Sequence, residues 1–144
     1  MSDVFELQRF LAAQEPVYAE VCAELRAGCK KSHWMWFVFP QLKGLGHSAM
    51  ATRYGIGSRA EGEEYLRHAV LGPRLIECTQ IVNLVEGRSA AEIFGYPDDL
   101  KFHSSMTLFA QLAPPEEAFS KALRRYFGGQ MDAVTLERLG SAQL

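Results

Sequence analysis

Ser32-His33-Trp34-Met35-Trp36-Phe37-Val38-Phe39-Pro40 is where helix and strand compete most closely in this chain. Taken alone, Trp36 to Phe39 passes as a short buried strand, because aromatic and β-branched residues in an unbroken apolar run suit a sheet interior. Ser32 as a cap and Pro40 as a stop instead make the stretch a short helix. The surroundings side with the helix. No other run of strand length alternates apolar and polar residues, and helical spacing recurs on both sides.

Upstream, Leu7, Phe10 and Leu11 stand at i, i+3, i+4, and Tyr18, Val21, Cys22 and Leu25 repeat that stripe after Pro16, with Gly28 as a stop. Downstream, Gly44-Leu45-Gly46 reads as a loop. Ser58-Arg59-Ala60-Glu61 and Ser89-Ala90-Ala91-Glu92 fit the capping box, in which Ser and Glu satisfy orphan backbone donors reciprocally. The first opens a helix toward Ala69 and the second a short one ending near Gly95. Pro73 begins a helix with Leu75, Cys78, Val82 and Val85 on one side and Gly87 after it. Pro97-Asp98-Asp99 starts another, carrying Phe102, Ser105, Met106, Phe109 and Leu112. Pro114-Pro115-Glu116-Glu117 starts the next, with Phe119, Ala122, Leu123, Tyr126 and Phe127 as its stripe and Gly128-Gly129 as its end. Asp132 caps a last helix to Leu139, stopped by Gly140. The expectation is an all-α fold: one compact domain over residues 1–144, a bundle of about seven short helices, without repeats or linkers.

Charge is distributed unevenly. From Leu25 to Ala60 there is no Asp or Glu, while the window holds Arg26, Lys30, Lys31, Lys43, Arg53 and Arg59. The formal net charge is -2, so the rest of the chain has 9 basic residues against 17 acidic ones. That overall balance argues against general nucleic-acid binding, which needs a strongly basic face. Three cysteines without a C-x-x-C pair indicate neither a disulfide framework nor a cysteine zinc site, and they fit a reduced, cytoplasmic setting. The N-terminus, with Asp3 and Glu6, lacks a signal-peptide pattern, and the run Trp34 to Pro40 is too short to span a bilayer. His33, His47, His68 and His103 lack ligand spacing, so no metal or other cofactor is called for.

The basic window also holds both tryptophans, and that coincidence marks the candidate site. Lys31, Lys43 and the Gly44–Gly46 loop can present ammonium groups and bare amides to an anion. Trp34 and Trp36 offer faces for stacking a ring, worth about 1–3 kcal/mol per base in single-strand systems. Ser32 and Gln41 add hydrogen-bonding groups, and His33 is the candidate proton donor. A second group, Lys101, Ser104 and Ser105, shares one side of its helix and suits a phosphate. Three readings follow. One is a binder, or a hydrolase, of a nucleotide-like or ADP-ribose-like anion. Another is a protein-interaction module without catalysis, docking an acidic partner on a Trp-rich basic patch. The third is that the aromatic run is simply core, with its lysines spread outward.

The strings Lys31-Ser32-His33-Trp34-Met35-Trp36-Phe37, Phe39-Pro40-Gln41, Gly44-Leu45-Gly46-x-Ser48, Tyr65-Leu66-x-His68, Leu71-Gly72-x-Arg74-Leu75, Ile93-Phe94-Gly95 and Lys101-x-x-Ser104-Ser105-Met106-Thr107-Leu108-Phe109 resemble the bacterial family known as domain of unknown function 1810. The resemblance runs over nearly the whole chain. It implies a small all-α cytoplasmic protein and carries no catalytic roles. Some members bear the label calpastatin, but such inhibitors are largely disordered, and this chain has the composition of a folded protein.

Overall fold

The computed structural model describes residues 3–141, so the outer bounds of the expected 1–144 domain lie outside the described residues. The fold is all-α. Among the described residues, ten helices follow in order: α1 Gln8–Gln14, α2 Tyr18–Arg26, α3 Met35–Val38, α4 Ala49–Tyr54, α5 Arg59–Arg67, α6 Leu71–Leu84, α7 Ala90–Phe94, α8 Asp98–Leu112, α9 Glu117–Phe127 and α10 Ala133–Ser141. The expected number was about seven. The segments read one by one already number nine, and the helix without a counterpart among them is α4, which carries no apolar stripe long enough to read as a period. Its start is nonetheless capped, because the Ser48 hydroxyl accepts from the Ala51 amide at 3.1 Å. No described helix is long and apolar enough to cross a membrane.

The contested stretch is helical, but only over one turn. Trp34 is the N-cap residue of α3, and Ser32, expected to cap it, is engaged elsewhere. The long helices behave as their stripes demand. α8 is buried along Phe102, Ser105, Met106 and Phe109, and packs against α9, α10, α7, α5 and α3. α6 packs against α2, α5 and α9. At the α5–α6 corner, Gly72 is obligatory: a Cβ there would stand 2.1 Å from the Leu66 carbonyl oxygen. α9 ends as read, with Gly128 left-handed at φ 62° and the Gly129 amide donating to the Leu123 carbonyl at 2.9 Å. The last helix departs from its expected stop, since α10 runs through Gly140.

The Ser89 capping box is complete. The Ser58 box is half made. Its hydroxyl accepts from the Glu61 amide at 3.1 Å, but the buried Glu61 carboxylate turns away from the Ser58 amide to accept from Gly57 and Arg9. Loop 40–47 and the segment after α4 meet in a single parallel bridge, Leu42 to Ile56. Around these elements one hydrophobic cluster forms the core, with Phe39 edge-on to both Phe94 and Phe102.

Candidate functional site

The basic, aromatic segment is held from beneath by an acid that stands just before the acid-free window. Glu24 on α2 is buried, and its carboxylate accepts from the Lys31 amide at 2.7 Å, the Ser32 amide at 3.0 Å, the Trp34 indole at 3.0 Å and the Ser32 hydroxyl. Burial pushes this carboxyl upward. The Ser32 hydroxyl, the two amides and the indole outweigh that and bring it down to about 2. Trp34 is therefore a core residue, 1 % exposed. This corrects the sequence expectation: a ring enclosed on all sides stacks no ligand, and Ser32 spends its hydroxyl on Glu24.

Trp36 differs. It is half-buried, with the Lys101 ammonium 4.7 Å from its ring centroid and its indole nitrogen buried without a hydrogen-bond partner. Lys101 also reaches Asp98 at 3.2 Å, and Lys30 meets the same carboxylate at 2.8 Å. Asp98 thus joins the start of α8 to the basic segment. Trp36 and Lys101, which sequence places in two separate candidate groups, meet here, but Ser104 and Ser105 do not join them. Ser104 donates to the Leu100 carbonyl at 3.1 Å and to Asp132 at 3.2 Å, facing α10. Ser105 is fully buried and its hydroxyl has no partner. Lys31 and His33 are exposed at the surface, and no hydrogen bond joins the His33 ring to another described residue. Gln41 contributes its carbonyl, which accepts from the Ile56 amide at 2.9 Å. Gly44, at φ 98°, lies under Arg138, whose Nη2 would be 2.1 Å from any Cβ there. Gly46 abuts Ala51, whose Cβ would be 2.9 Å from an added Cβ.

An open cleft of about 910 Å³ lies between the N-terminal segment, α1 and the end of α4. Arg9 is its fixed centre. The guanidinium donates to the carbonyls of Arg53 at 2.8 Å, Phe5 at 2.6 Å, Glu6 at 3.0 Å and Gly55 at 3.2 Å, and to Glu61 at 2.7 Å. Two of these are carbonyls at the end of α4, where the helix dipole is negative. Arg9 and Glu61 are thus occupied as a structural pair. Asp3 is occupied too: it accepts from the Leu7 and Gln8 amides at 2.7 and 2.8 Å, which lower its pKa. Lys43 and Arg53 line the same cleft, exposed, and neither forms an ion pair with a described residue. Lys43 is fixed through its backbone, its amide donating to the Ile56 carbonyl at 2.9 Å.

Sequence reading named Lys43 and counted Arg53 within the acid-free window, but nothing local pointed to Arg9. Apart from the nearby carbonyls of Phe5 and Glu6, its partners lie 44 to 52 residues away, beyond any helical or strand period.

The sequence profile of the family described as "Protein of unknown function (DUF1810)" matches residues 4–139. Among solved structures, the chain is similar to the conserved hypothetical protein Rv1873 from Mycobacterium tuberculosis. The two share 57% identity and a TM-score of 0.94, over 96% of this chain and 99% of that one. No curated protein matches.

Proposed function

We propose, for a chain that belongs to the DUF1810 family of unknown function, that it binds a small nucleotide-like anion in the Arg9-centred cleft, with Lys43 and Arg53 holding phosphate. The observation that carries this reading is the pair of exposed cations, Lys43 and Arg53, that form no ion pair with a described residue on the wall of an open cleft, which Glu6 also lines. Arg9 supports it indirectly, by covering carbonyl oxygens that would repel an anion. At about 910 Å³ the cleft has room for a nucleotide-sized ligand, and Thr52 and Gln8 supply neutral hydrogen-bonding groups. ADP-ribose-like molecules belong to the same class. His33 does not line this cleft, so no proton transfer is assigned to it.

The interaction-module reading loses its anchors on the tryptophans, because Trp34 is enclosed and Trp36 is covered by Lys101. What favours it now is Tyr96, 82% exposed, followed one helical turn later by Leu100, 52% exposed.

Calorimetric titration with ADP, ADP-ribose and inorganic phosphate tests the anion reading. Binding is expected in the nucleotide arms, weakened about 10- to 100-fold in Lys43→Ala and in Arg53→Ala, the worth of one hydrogen bond to a charged group. Absence of binding at millimolar ligand, or wild-type affinity in both variants, overturns it.

A further inference from the structure

Anion binding leaves one charged residue of the cleft wall without a role. Three acids line the cleft. Asp3 accepts from the Leu7 and Gln8 amides, and Glu61 from the Gly57 amide and Arg9, so both are engaged by the fold. Glu6 is exposed and forms no ion pair with a described residue. Its backbone is left-handed at φ 54°, and among the described residues it is the one non-glycine with a positive φ. A side chain there crowds its own backbone, which is why such positions favour glycine or asparagine. The contacts that hold Glu6 run through its main chain. Its amide donates to the Asp3 carbonyl at 3.0 Å, and its carbonyl accepts from the Arg9 amide at 3.1 Å and the Arg9 guanidinium at 3.0 Å. The fold thus imposes an unfavourable conformation on a residue whose carboxylate it leaves facing an open cleft, and strain of this kind gathers at ligand sites.

Building on the anion-binding reading of the cleft, on which it rests, we propose that Glu6 makes the site selective for ribonucleotides: its carboxylate accepts from the vicinal hydroxyls of the ribose while Lys43 and Arg53 hold the phosphates. A carboxylate offers acceptors and no donors. In the same cleft it repels a bare phosphate chain and favours a ligand that brings neutral donors to it, away from that ligand's own charge. The ribose diol meets this requirement. Its two O–H groups on adjacent carbons match the two oxygens of a carboxylate, the pairing by which an acid reads ribose in dinucleotide sites. A ribonucleotide carries its charge at one end and its diol in the middle, so one ligand satisfies both signs of the wall. Val4, 76% exposed, and the half-buried Phe5 line the cleft next to Glu6 and offer apolar surface for the base.

The test is calorimetric titration of the wild type and of Glu6→Gln with ADP, 2′-deoxy-ADP and pyrophosphate. Glu6→Gln keeps the size of an exposed side chain and leaves the backbone contacts in place, and the wild-type comparison needs no variant. Wild type is expected to bind ADP at least about tenfold more tightly than 2′-deoxy-ADP, the worth of one hydrogen bond to a charged group. In Glu6→Gln that preference should fall below about threefold, the scale of a neutral acceptor, and pyrophosphate should bind more tightly than it does to the wild type. Equal wild-type affinity for the two nucleotides, a preference that survives in Glu6→Gln, or a pyrophosphate affinity that the substitution leaves unchanged overturns the role of Glu6. If both nucleotides then still bind and both weaken in Lys43→Ala, the cleft reading stands without it. No ADP binding at millimolar concentration overturns the cleft reading and this inference with it.

Discussion

Glu24 shows how a single residue can organise a segment that looks like a binding site. Four donors from Lys31, Ser32 and Trp34 converge on its carboxylate inside the fold. Replacing it with Gln turns an NH2 group toward donors that need acceptors. Glu24→Gln is expected to cost about 2–3 kcal/mol, measured by urea unfolding at neutral pH. The same residue sets a pH dependence. Its folded pKa is near 2 against an unfolded value of 4.5, so the unfolded chain binds the proton more tightly and stability rises with pH. The contribution is complete above about pH 5 and is lost as pH falls toward 2, with an upper bound of about 3 kcal/mol at 1.36 kcal/mol per pKa unit. Thermal melts across that window should show the wild type losing more stability than Glu24→Gln; parallel losses would refute the assignment. Sequence alone could not supply this carboxylate, because α2's stripe identifies Val21, Cys22 and Leu25 as inward and makes Glu24 look like an ordinary surface acid. What was legible was the acid-free window itself, whose first flanking residue is Glu24.

Among the elements, glycines separate what local pattern can say from what packing decides. Gly128 was readable as a helix stop because a left-handed residue after an amphipathic stripe is a local requirement. Gly140 reads the same way by position, yet α10 continues through it, with nothing within 4 Å of an added Cβ. Gly140→Ala should therefore stabilise the chain by up to about 1 kcal/mol, through helix propensity and a less mobile unfolded state. Gly72 is the opposite case. It sits inside α6 where helix propensity favours Ala, but a Cβ would press on the Leu66 backbone, which has no flexible end to swing away. Gly72→Ala should cost about 3 kcal/mol or more, the scale of overpacking against a fixed group. Urea midpoints moving in opposite directions for the two variants would confirm this; a shared direction would mean that propensity alone governs both. No periodicity distinguishes these glycines, because the distinction lies in how α6 turns back on α5.

For the whole molecule, the basic window is balanced by carboxylates that lie outside it in sequence. Glu24 immediately before it holds Lys31 to Trp34, Glu61 immediately after it binds Gly57 and Arg9, and Asp98 takes Lys30 and Lys101. What the fold leaves without an ion pair among the described residues on the cleft wall is Lys43 and Arg53, with Glu6 as a carboxylate of opposite sign. This division predicts two kinds of variant. Arg9→Ala strands a Glu61 side chain that is 9% exposed and frees carbonyls from two parts of the chain, the N-terminal segment and the end of α4, so it should cost about 3–5 kcal/mol. Glu61→Ala should be comparably harmful, and the double variant should fall short of the sum by about 1–3 kcal/mol, because each single change already breaks the shared contact. Lys43→Ala and Arg53→Ala remove exposed cations that have no ion-pair partner among the described residues, and should stay within about 0.5 kcal/mol of wild type. Unfolding curves for all five chains, set beside ligand titrations, separate scaffold from site. If Lys43→Ala or Arg53→Ala destabilises as Arg9→Ala does, the free cations are structural after all and the cleft loses its claim to a ligand.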